Sequence, residues 1–75
     1  MVTNLRCISP GERAVIVEID TEPALKQRLR DFGFIPGTPV RCNYRSPGGK
    51  VTALEFRGTV MAMRTRDLEK IRVEC

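Results

Sequence analysis

Histidine and tryptophan are absent from this 75-residue sequence, aromatic residues make up only 5% of it, and its three cysteines are widely scattered. Each shortage removes a class of function. Without histidine the chain lacks the commonest general acid-base and the commonest metal ligand, which weighs against an enzyme. Cys7, Cys42 and Cys75 are an odd number at wide spacings, which fits neither a disulfide framework nor a Cys-x-x-Cys metal or redox motif. No apolar run approaches the roughly 18 residues that a bilayer span requires. The start, Met1-Val2-Thr3-Asn4-Leu5-Arg6-Cys7, has no apolar stretch after a basic residue and no small-residue cleavage site, so a cytoplasmic protein is expected.

What is present is the composition of a globular protein, 41% hydrophobic and 29% charged. A chain this short supports one hydrophobic core, and a single domain over residues 1–75 is expected, with no repeat, low-complexity tract or linker. The formal net charge of +4 is uneven: residues 1–37 hold five bases and five acids, whereas residues 38–75 hold eight bases against four acids. An acidic partner would be drawn to the second half, although arginines on a solvated strand face also serve solubility alone.

Glycine and proline interrupt the chain at Pro10-Gly11, Gly33, Pro36-Gly37, Pro47-Gly48-Gly49 and Gly58, and short segments between such breaks indicate a small β-barrel or sandwich. Ala14-Val15-Ile16-Val17-Glu18-Ile19 reads as a strand buried on most of its surface. Leu25, Leu29 and Phe32 then recur at helical spacing, with Lys26, Gln27, Arg28, Arg30 and Asp31 on the opposite side. Thr21 or Glu22 precedes that helix and Pro23 suits its first turn. Gly33 is placed for a left-handed cap, followed by Phe34 packing back on Leu29. Pro36-Gly37 has the order of a type II turn. From Thr38 to Arg45, Val40, Cys42 and Tyr44 alternate with Arg41, Asn43 and Arg45, so the arginines are expected in solvent. Strands at Thr52–Phe56 and Thr59–Met63 flank the two-residue hairpin connection Arg57-Gly58. Thr65 is expected to cap a single helical turn carrying Asp67 and an inward Leu68, before a last strand at Ile71–Val73.

These blocks, in this order, resemble the FeoA (ferrous iron transport protein A) family from Leu5 to Val73. The resemblance is carried by Ser9-Pro10-Gly11-Glu12-Arg13-Ala14, by the long block from Leu25 through Gly33 and Pro36-Gly37 to Val40, by Phe56-Arg57-Gly58-Thr59-Val60-Met61-Ala62-Met63-Arg64, and by Leu68 to Val73. It departs at Phe32 and Phe34, where leucines are usual, and at Pro39, which removes a ladder donor and requires the strand to begin at an edge or bulge. The resemblance implies a mainly β fold: a small SH3-like barrel of about five strands, one helix after the first strand, and a helical turn before the last. It also implies an accessory role in ferrous iron uptake through the cytoplasmic portion of the FeoB-type membrane GTPase transporter. The same domain resembles the C-terminal barrel of iron-dependent repressors, which carry a DNA-binding domain that 75 residues leave no room for.

For sites, the residues themselves indicate a surface more than a reaction centre. Cys42 is expected in the core, the acids are interspersed with bases, and Met61 and Met63 read as core filler with Ala62 facing away, so no metal ligand, cofactor or catalytic residue is assigned. Pro47-Gly48-Gly49-Lys50 lacks the spacing and the Ser/Thr of a P-loop and joins two strands, which makes it a hairpin tip. The candidate partner-binding residues are Lys26, Arg28, Arg30 and Phe34 on the helix and cap, with Arg45, Lys50 and Arg57 on the basic strand and hairpin; Gly33, Pro36, Gly37 and Gly58 are structural. A small basic nucleic-acid-binding barrel and a repressor-like regulatory module are the competing functions. The scarcity of aromatics for base stacking counts against the first. Weak self-association is left open.

Overall fold

The computed structural model describes residues 1–75. Proline followed by glycine turns the chain three times in one way. The amides of Glu12, Thr38 and Gly49 bond back to the carbonyls of Ser9, Ile35 and Ser46 at 2.9, 3.0 and 2.7 Å. In each turn proline presets φ at the second position and the glycine after it accepts a positive φ, 94° at Gly37. Between these turns lie six strands: β1 (Val2–Asn4), β2 (Arg13–Ile19), β3 (Pro39–Arg45), β4 (Val51–Phe56), β5 (Thr59–Arg64) and β6 (Ile71–Glu74). One α-helix, α1 (Pro23–Asp31), follows β2, and 3-10 helices span Leu5–Cys7 and Thr65–Lys70.

The strands form a single antiparallel sheet in the order β1-β6-β2-β3-β4-β5. The two outer strands, β1 and β5, do not pair with each other, so the ladder is open where a closed barrel was expected. The expected count of about five strands becomes six because Val2–Asn4 pairs with Arg72–Glu74. Three residues with no alternation carry no strand signal of their own; their partner 70 positions away creates the strand. Pro39 stands at the first position of β3, where its missing donor is tolerated.

Two bulges change the faces read from the sequence. In β2 the pairing runs Ile16 to Val73 and then Glu18 to Arg72, which leaves Val17 as an extra residue. Only Ala14, Ile16 and Ile19 of that strand are buried, while Val15 and Val17 are 40% and 44% exposed, so the strand is half-buried and not buried on most of its surface. In β3, Cys42 pairs with Leu54 and Tyr44 with Ala53, leaving Asn43 as the extra residue. The inside-outside phase inverts at that point. Val40 and Cys42 face the core, but Tyr44 swings out to 56% exposure.

The core contains 15 hydrophobic residues, among them Leu29 and Phe34 from the helix and its cap and Leu54 and Phe56 from β4. Phe34 meets Phe56 edge-to-face with ring centroids 5.0 Å apart. Met63 is buried and Met61 packs against the core, while Ala62 faces outward, as alternation predicts. Thr65 does not cap its 3-10 helix; its hydroxyl lies 2.8 Å from that of Thr52 in the interior, and Arg64 occupies the cap position without a side-chain capping bond to the helix backbone. No helix is long and apolar enough to cross a membrane.

Candidate partner-binding surface

The stop of the helix is fully specified by its backbone bonds. The Phe34 amide bonds to the Leu29 carbonyl at 2.9 Å and the Gly33 amide to that of Arg30 at 3.0 Å, the two bonds of a Schellman cap. Gly33 has φ +84°, and its carbonyl accepts the Thr38 hydroxyl at 3.1 Å. The cap ends the helix at Asp31, before Phe32, and swings that ring off the Leu25–Leu29 stripe. Phe32 is 53% exposed and Phe34 is completely buried. The expectation of Phe34 as an exposed binding residue is therefore corrected: burial of a large ring outweighs its position at the cap. Phe32, which helical spacing put inside, is the aromatic that solvent sees.

Arg57 belongs to the same surface. It is the one non-glycine residue with positive φ, 51°, and with Gly58 at 75° it forms the type I′ connection of the β4–β5 hairpin. Its side chain lies over the cap, with Cδ 3.1 Å from where a Cβ on Gly33 would stand. Gly33 is thus required twice, for its backbone conformation and for the approach of Arg57. An arginine in the left-handed region costs roughly 1–2 kcal/mol that Asn or Gly would avoid.

Lys26, Arg28 and Arg30 are all exposed but face different grooves. Lys26 and Arg30 border a groove with Val17, Ile35 and Pro36. Arg28 borders another, between α1 and β5, whose floor includes Leu25, Leu29, Met61 and Met63. None of the three forms an ion pair, since the four present are Met1–Glu74, Arg6–Glu69, Arg64–Asp67 and Arg72–Glu18.

Arg45 and Lys50 are separate from this surface. The bulge at Asn43 turns Arg45 inward, where its Nε donates to the Thr52 hydroxyl at 3.0 Å and its terminal nitrogen to the Ile8 carbonyl at 3.1 Å. Arg45, expected in solvent as a binding residue, is a structural cross-link. Lys50 and Arg57 stand at opposite ends of β4; at about 3.3 Å per residue they are roughly 23 Å apart, nearly the span of a molecule 28 × 25 × 22 Å in extent. One contiguous basic patch cannot include both. Cys42 is buried and Cys7 and Cys75 are exposed, and no three His, Cys, Asp or Glu side chains group in a way that could hold a metal ion.

The model of the FeoA domain matches residues 3–75. The solution structure of the FeoA protein from Chlorobium tepidum superimposes with a TM-score of 0.93 at 28% identity, covering 96% of this chain and 69% of that one. The FeoA of Stenotrophomonas maltophilia, crystallised with zinc and described as a prokaryotic SH3 domain protein, gives 0.83 at 25% identity and covers 96% and 89% of the two chains. The iron-dependent repressor IdeR of Thermoplasma acidophilum shares the fold alone, with a TM-score of 0.83 at 19% identity over 97% of this chain and 33% of that one. No curated protein sequence matches. With the family model matched over almost its whole length and the same fold in solved FeoA proteins, the chain belongs to the FeoA family, a family associated with ferrous iron transport.

Proposed function

We propose that this chain is a cytoplasmic accessory protein of ferrous iron uptake that acts by binding the GTPase-bearing cytoplasmic portion of a FeoB-type transporter, and that it has no reaction of its own. The observation that carries this reading is the FeoA match over residues 3–75. The binding surface in this reading is the helix with its cap: exposed Phe32 and Ile35 supply apolar contact, and Lys26, Arg28, Arg30 and Arg57 supply charge. The strained φ of Arg57 supports its inclusion, because a costly conformation over the helix cap is kept where a cheaper turn residue would close the same hairpin.

Kinetics on the immobilised transporter domain, at several salt concentrations and in each nucleotide state, test the reading. Charge reversal at Arg30 and Arg57 should slow association and flatten its salt dependence, whereas Phe32→Ala should mainly speed dissociation. Absence of affinity for the transporter domain in every nucleotide state, together with strong salt-sensitive binding to nucleic acid, would overturn it in favour of the nucleic-acid reading.

A further inference from the structure

A second basic site lies away from the helix surface. Arg6, Lys50, Arg64 and Arg66 line one open groove of about 480 Å³ together with Gly48 and Gly49, and no carboxylate lines it. The four cations come from four places in the chain: the first 3-10 helix, the β3–β4 loop, the end of β5 and the second 3-10 helix. They are held by the fold. Val51 pairs with Arg64 across the hairpin, and the Thr65 amide donates to the Lys50 carbonyl at 2.8 Å, tying the loop to the second 3-10 helix.

The charge is only partly cancelled. Glu69 pairs with Arg6, and Asp67 holds Arg64 with its Oδ2 2.9 Å from the guanidinium Nε. Both carboxylates lie outside the groove lining and so orient their arginines without filling it. Lys50 and Arg66 have no carboxylate partner, which leaves two positive charges uncompensated. The loop adds backbone donors: the amides of Gly48 and Lys50 reach no protein acceptor. The two uncompensated cations on one groove favour an anion between them, and a phosphoryl group carries about −1.5 to −2 charge with three acceptor oxygens. Arginine matches such oxygens with two parallel N–H donors, and the unpaired Gly48 and Lys50 amides, on either side of the Gly49 amide that bonds to Ser46, add further donors.

We infer that this groove binds a phosphoryl anion, held by Lys50 and Arg66 and by the Gly48 and Lys50 amides, with Arg6 and Arg64 aligned by their carboxylates. It differs from a P-loop because the loop joins two strands and needs no helix N-terminus. The site is independent of the transporter reading, since none of the residues that reading retains, Lys26, Arg28, Arg30, Phe32, Ile35 and Arg57, lines it; Lys50, a partner-surface candidate by sequence, belongs to this groove instead. Its ligand is either a free phosphate-bearing solute or the headgroup of an anionic lipid, which present the same chemistry.

Two measurements on the full chain distinguish these sources. Inorganic phosphate is titrated at constant ionic strength while amide chemical shifts are followed, and vesicles of phosphatidylcholine with or without phosphatidic acid are tested by flotation. Saturable shifts at Gly48, Gly49 and Lys50, or flotation that requires phosphatidic acid, are expected. Lys50→Gln and Arg66→Gln should each weaken that binding about tenfold, while Arg72→Gln, which removes an equal charge from β6, should leave it unchanged. Retention of the remaining amide pattern shows that the variants fold. Binding in the first experiment alone identifies a soluble ligand and in the second alone a headgroup. Absence of saturation in both, or equal weakening by Arg72→Gln, would overturn the site.

Discussion

The helix cap and the bulged end of β3 lie within a few residues of each other in sequence and are built by opposite means. From Leu29 to Phe34 the cap's own bonds close locally, Phe34 to Leu29 and Gly33 to Arg30, with the Thr38 hydroxyl returning to Gly33; only beyond the cap do Gly37 and Thr38 exchange backbone bonds with the distant Ile16. From Asn43 to Lys50 the chain depends on distant partners, with Arg45 reaching Ile8, 37 positions away, and the Lys50 carbonyl accepting from the Thr65 amide at 2.8 Å. A locally closed segment obeys residue-by-residue rules. A segment closed at long range takes whatever register its partners impose.

The largest expected effect breaks the cap from beneath. Phe34→Ala should cost about 3–5 kcal/mol, a large share of the roughly 5–15 kcal/mol that holds an ordinary domain. Phe34→Leu should cost far less. The denaturant midpoint measures both, and a loss below about 1 kcal/mol for the alanine variant would show that the ring is not packed on Phe56 in solution.

The next effect breaks the long-range side. Arg45→Met keeps the stem but removes both donors, leaving the Ile8 carbonyl without that partner, and should cost about 1–3 kcal/mol. Arg45→Lys should not restore the loss, because an ammonium cannot reproduce a fork that serves two acceptors. Full rescue by lysine would mean that charge, and not this geometry, stabilises the bulged strand.

Two smaller effects sharpen the contrast at the cap. Gly33→Ala should cost about 1 kcal/mol through its left-handed backbone. The new Cβ must also displace the flexible Arg57 stem 3.1 Å away. Unchanged stability would show that Gly33 does not hold the cap, and a cost relieved in the Arg57→Ala background would apportion the steric share. Arg57→Asn should raise stability by roughly 0.5–1 kcal/mol, because asparagine tolerates the first position of a type I′ turn better. The same variant should bind the transporter domain more weakly. Greater stability with unchanged binding would remove Arg57 from the proposed surface.

The sequence by itself determined the helix and its Schellman cap at Gly33, the Pro36-Gly37 turn, the Arg57-Gly58 hairpin, the inward Cys42, Met61 and Met63, and the family through the order of these blocks. Each rests on φ preference, a cap or a period, properties of a few consecutive residues. Tertiary structure alone decided four matters. Strand β1 exists because β6 offers it an edge. Tyr44 points out and Arg45 in because one extra residue opposite β4 inverts the phase of β3. Phe34 is buried and Phe32 exposed because the cap redirects the chain onto a core whose other wall is Phe56. Lys50 belongs to a groove separate from the helix surface because Arg6, Arg64 and Arg66, all distant in sequence, gather beside it. In each case a partner distant in sequence supplies the hydrogen bonds or the apolar contact, and no local pattern encodes the register at which two distant segments meet.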